Sequence, residues 1–166
     1  MALRMLHKGI EFGDSYAAEA LAAMGDTSAL DEMRVQLRKS TDHHRIRFAL
    51  AINSLSPNDS LANELIEEFK LPFEWNIHMR AAIGLRYFSD TASERALLNE
   101  IEQNGKFLVR YHASNSLLWR WDVTPTDISK HPEIWELIRN PDEYVMTADE
   151  CPRMREAVVR LERLRK

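Results

Sequence analysis

Six histidines, one cysteine and 26 carboxylates are the residues of this 166-residue chain whose types allow chemistry. His43 and His44 are adjacent, and neighbouring side chains on a helix or turn point in different directions, which denies two imidazoles a shared metal ion. His78 and His112 fall in two helices expected to be neighbours, close enough to approach each other, but without carboxylates at ligand spacing. Cys151 precedes Pro152 at an expected helix start. That position lowers a thiol pKa, yet no base is identifiable as its partner. There is no Gly-rich phosphate loop, no nucleophile elbow and no HExxH. The reading assigns no catalytic residue, no metal ligand and no cofactor.

Composition narrows the partner class. The formal charge of −4 disfavours a surface built to cover nucleic acid, which needs a basic face. A lone cysteine excludes an intramolecular disulfide and a Cys-rich zinc site, and suits a reducing compartment. The opening "MALRMLHKGIEFGD" is too interrupted for a signal h-region, and no run reaches the roughly 18 apolar residues of a membrane span. The expectation is a soluble, cytoplasmic, single-domain protein over 1–166 without a membrane partner.

The elements that position these residues show in an internal repeat. "YAAEALAAM" from Tyr16, "IRFALAINSL" from Ile46, "IHMRAAIGL" from Ile77 and "VRYHASNSL" from Val109 start 30, 31 and 32 residues apart. Positions four and eight beyond each start, Ala20 and Met24, Leu50 and Ser54, Ala81 and Leu85, Ala113 and Leu117, define one helical stripe. Alanines at 17, 20, 49, 51, 81, 82 and 113 allow close helix approach. Turn signals "GDTS", "SPNDS" and "SDTAS" follow the first three segments, with Asp26, Asp59 and Asp90 as expected turn or cap residues, and each leads into a second amphipathic run. In the fourth copy Trp121 continues the apolar stripe to close the core, and Trp119 points elsewhere.

Residues 122–166 leave the repeat and hold four of the six prolines. Two shorter helices are expected, near 132–139 and 152–165. They read as a cap on 14–121, the first with Ile134, Trp135 and Ile138 on its apolar face and the second with Met154, Val158 and Leu161.

"VRYHASNSLL" resembles the first helix of a HEAT-type α-helical repeat, an aliphatic residue and Arg followed by Ala and Leu at helical spacing. Arg47 and Arg110 match the Arg, and His78 and Ala17 depart from it. The resemblance implies an all-α, right-handed α-solenoid of about four antiparallel helix pairs with the C-terminal helical cap. It also implies that the second helices line a concave face. Asp31, Glu32, Glu64, Glu67, Glu68, Glu94, Glu100 and Glu102 would then converge on one acidic strip, diluted by Arg34, Arg38 and Arg95. Such a strip steers a protein partner with a basic surface. The aromatic anchors expected beside it are Trp75, Trp119 and Tyr87, since Trp and Tyr dominate interface hot spots.

A small, acidic helical-repeat chain without a catalytic constellation resembles the bacterial immunity proteins, which neutralise a toxin, often a basic nuclease, by direct binding. A general adapter or scaffold is the alternative. Helical-repeat DNA glycosylases resemble the same architecture but need a basic groove, and a metal-dependent hydroxylase or lyase needs clustered ligands.

Overall fold

The computed structural model describes residues 2–71, 74–104, 106–124, 129–139 and 150–165, the side chains of 150 and 151 excepted. Every regular element among them is helical, so the protein is all-α. No helix among the described residues is long and apolar enough to cross a membrane. The chain divides into two compact units, Met1–Pro72 and Phe73–Lys166.

The first unit holds α1 (Ala2–Glu11), α2 (Ser15–Ala23), α3 (Leu30–Lys39), α4 (Asp42–Leu55) and α5 (Ala62–Glu68). Helix α2 packs on α1 and α4, and α3 packs on α4. Ile10, Leu21, Met33, Phe48, Ile52 and Leu65 are fully buried between them. Ala17, Ala49 and Ala51 are buried as well, where small side chains let the helix axes approach. Asp14 starts α2 by accepting from the Tyr16 amide at 2.9 Å. Helix α2 stops at Ala23, and Gly25 follows with φ +71°, a backbone state that glycine adopts without strain.

The apolar stripe of α2 and α4 is not the one read from the repeat: Met24 and Ser54 are exposed and Leu50 is half-buried. Ala17 and Leu21, and Phe48 and Ile52, take the core positions instead. The frame set by Tyr16 and Ile46 does not mark the core face of α2 and α4, because each helix is rotated by what its bulkiest apolar side chains bury. The cap of the third turn is Asn58, whose side chain accepts from the Ser60 amide at 3.0 Å. Asp59 opens the 3-10 turn Asp59–Leu61, the turn role among those expected of it. Asp26 and Asp90 cap as expected, Asp26 on the 3-10 turn Thr27–Ala29 and Asp90 on α7.

The second unit holds α6 (Trp75–Gly84), the 3-10 turn Leu85–Tyr87, α7 (Thr91–Gln103), α8 (Phe107–Arg120), α9 (Pro132–Ile138) and α10 (Glu150–Glu162). Helix α8 packs on both α6 and α7, α10 on α7 and α9, and α9 on α8. Here the stripe lies where the repeat placed it: Ala81, Leu85, Ala113 and Leu117 are buried, and Trp121 closes that core. Ile134 and Ile138 of α9 and Met154, Ala157, Val158 and Leu161 of α10 complete it. The two C-terminal helices begin and end within a few residues of their expected bounds.

Candidate functional site

The acidic residues are engaged within their own units. Glu68 is 1% exposed, and its carboxylate stands 3.6 Å from Nη1 of Arg45, whose Nε is 3.6 Å from Glu64. Burial raises the Glu68 pKa against the opposing effect of Arg45. Glu100 is buried too, accepting from Asn104 Nδ2 at 2.7 Å beside His78 at 3.5 Å. Glu94 accepts from Trp121 Nε1 at 3.3 Å and from Arg165 at 2.9 Å. Asp31 pairs with Arg34, Glu67 with Lys70, and Glu32 accepts from Gln36. Glu68 and Glu100 therefore face the interior of their units, and carboxylates that close do not reach a surface partner. Asp31 and Glu67 remain open to solvent, while Glu32, Glu64 and Glu94 are half-buried.

The histidines do not assemble a site. His44 Nδ1 and the buried Ser15 hydroxyl are 2.9 Å apart, which ties α4 to the start of α2. The His43 ring lies 4.0 Å from the His44 ring. His78 is held by Asn104. Among the described residues no group of three His, Cys, Asp or Glu stands together as a metal site. The side chain of Cys151 lies outside the described residues.

The aromatic candidates are where the surface is apolar. Trp75 is 43% exposed, Tyr87 55% and Trp119 56%. Tyr87 and Trp119 meet edge to face, ring centroids 5.7 Å apart, a geometry favoured by the ring quadrupoles. The pairing follows from local structure. Tyr87 ends the 3-10 turn that closes α6, and Arg120 of α8 fixes that turn by donating to the Leu85 carbonyl at 3.2 Å and the Asp90 carbonyl at 2.8 Å. Trp119 is thereby carried alongside Tyr87.

Helix α8 presents distinct faces. Val109, Ala113, Leu117 and Trp121 enter the core. Tyr111, His112, Asn115, Leu118 and Trp119, at helical spacing, line a cavity of about 690 Å³ together with Arg86, Val123 and Trp135. Trp119 also borders a second cavity of about 670 Å³, lined by Tyr87, Arg86, Trp121 and Arg165 among others. Desolvation lowers the His112 pKa, with a smaller contribution from the Arg86 charge. The sequence points to Tyr87 and Trp119 as exposed aromatics, which they are, but not to Arg86, Tyr111 and His112 as neighbours of Trp119. The spacing of 111, 112, 115 and 119 along one helix was the available signal.

The fold and this surface define an all-helical protein with an aromatic face on its C-terminal unit. Comparison with family models, with curated proteins and with solved structures finds no match.

Proposed function

We propose that the chain is a non-enzymatic protein-binding module whose anchor is the Tyr87–Trp119 pair. The carrying observation is that pair: two large aromatic side chains, each more than half exposed, held in contact by a rigid helix end. Exposed aromatics fixed in place bury much area on association at little entropic cost, which is why they concentrate binding energy. A HEAT-type solenoid is the architecture proposed with it. Its support is the packing inside each unit, where first helices meet (α2 on α4, α6 on α8) and second helices pack on the next first helix (α3 on α4, α7 on α8).

The specific form of the proposal is an immunity protein that binds a basic toxin in the cytoplasm. The exposed Asp31 and Glu67 support a steering role for the remaining acids. A general adapter differs only in its partner.

The test takes the partner retained by the tagged full chain at physiological salt and measures its affinity for wild type and for Y87A/W119A. Loss of about 30-fold or more, the 2 kcal/mol of a hot spot, is expected. Undiminished affinity of a correctly folded double variant would overturn the anchor.

A further inference from the structure

The cavity bordered by Tyr111, His112, Trp119 and Trp135 has a composition that a protein core does not need. Among the described residues of its lining Arg86 is the only formally charged one, and none of them is a carboxylate. No hydrogen bond or ion pair joins the half-buried Arg86 to any described residue, and its Nε is buried without an acceptor. Buried donors are nearly always satisfied, and leaving one unmet costs about 1–3 kcal/mol. The guanidinium is thus a cation in a partly desolvated place without an ion-pair partner among the described residues, and Glu94 and Asp122 border only the neighbouring cavity. The rings of Tyr111, His112, Trp119 and Trp135 line the same cavity, with Tyr111 5.3 Å from Trp135 and 5.3 Å from His112.

We propose that this cavity binds a small aromatic carboxylate, its ring among Trp119, Tyr111 and Trp135 and its carboxylate on Arg86. Three features select that class. A volume of about 690 Å³ lies in the range of small-molecule sites, roughly 300–1,000 Å³. Aromatic walls favour a planar ring. A single arginine neutralises one negative charge, matching a monoanion, and its planar fork suits the two oxygens of a carboxylate. A cationic ligand would meet Arg86 without a compensating carboxylate. The inference rests on the cavity and shares only Trp119 with the protein-binding proposal.

The experiment follows the four indole N–H resonances of the full chain by ¹H–¹⁵N NMR, assigned with single Trp→Phe variants. Indole-3-acetate is the probe, its methyl ester the neutral comparator, and a pentapeptide ending in tryptophan the macromolecular one. Saturable shifts at Trp119 and Trp135, with Trp75 unmoved, are expected for the acid. The acid should bind about tenfold or more tightly than the ester, the effect of one charge-assisted pair. R86Q should reduce the acid to the affinity of the ester, while R86K keeps part of the preference. No saturable shift at millimolar acid, or equal binding of acid and ester by wild type, would overturn the site whatever the variants do. Binding of the peptide more than about tenfold tighter than the free acid would overturn the small-molecule assignment in favour of a chain terminus.

Discussion

Arg110 donates through Nε and Nη2 to the carbonyl of Ile138, at 3.1 and 3.0 Å, and through Nη1 to the carbonyl of Asn104 at 2.7 Å. The side chain is fully buried. One guanidinium therefore satisfies the carbonyls at the ends of two helices, α7 and α9, from the first turn of α8. A planar fork with five donors does this, and a lysine ammonium, a point charge on a flexible stem, does not reproduce the geometry. Arg110→Met should lower stability by about 3 kcal/mol or more, because both carbonyls lose charged donors in a closed site. Arg110→Lys should recover only part. Urea unfolding of the three proteins checks this, and equal midpoints would mean that the carbonyls find other donors.

Glu67 and Glu68 are adjacent in sequence and opposite in consequence. Glu67 is exposed and pairs with Lys70 three residues on, whereas Glu68 is closed off beside Arg45. Glu67→Lys should change stability by no more than about 0.5 kcal/mol. Glu68→Lys should cost about 3 kcal/mol or more, since it puts a second cation beside Arg45 in a buried place. The pH dependence has a definite sign. A carboxyl whose folded pKa is raised binds its proton more tightly folded than unfolded, so its contribution is fully present below the unfolded value of about 4.3 and is lost as pH rises through the folded pKa. The stability of wild type minus that of Glu68→Gln should therefore fall between pH 4 and neutrality, and a flat difference would contradict the raised pKa.

What the sequence made legible follows from what the physics makes local. Pro-marked boundaries, the aspartate caps at 26 and 90 and the stripe of α6 and α8 depend on neighbours a few residues away, and these expectations agree with the structure, whereas the stripe of α2 and α4 does not. The exposure of Trp119 and the burial of Trp121 were equally readable, because a separation of two residues on a helix turns one side chain away from the other. The acids were misread in part. Glu68 and Glu100 occupy positions that look solvent-facing on a helical wheel, but Arg45 comes from α4 and His78 from α6, and no local pattern announces those partners. Arg86 is not legible for the same reason: what distinguishes it is the lack of an ion-pair partner among the described residues, a property of its surroundings and not of its spacing.

Asp26 shows the reverse linkage to Glu68. Its carboxylate accepts from the Ser28 hydroxyl at 2.6 Å, the Ser28 amide at 3.0 Å and His7 Nε2 at 3.0 Å. The Ser28 hydroxyl, then the Ser28 amide and His7, hold its pKa below the ordinary carboxylate value. The stability it contributes is present above the unfolded pKa of about 3.9 and lost as pH falls through the lower folded value. Asp26→Asn should therefore lower the melting temperature at pH 7 and match wild type near pH 2. A constant gap across that range would show that the side chain acts by shape alone.

Trp119 and Trp121 separate binding from folding. Trp121 is 6% exposed, donates to Glu94 and lies with its ring 5.8 Å from the Arg165 guanidinium, so Trp121→Ala removes core volume and leaves Glu94 without that donor. A loss of about 3–5 kcal/mol is expected in urea unfolding. Trp119 meets Tyr87 edge to face at the surface, and Trp119→Ala should cost no more than about 1 kcal/mol, the range of one exposed aromatic pair. Tyr87→Ala should cost a similar amount, and the double variant little more, because both truncations remove the same contact. If Trp119→Ala instead unfolded the second unit, its exposed ring would be a structural element. A stable Trp119→Ala that loses a ligand or partner leaves binding as the role of the exposed ring.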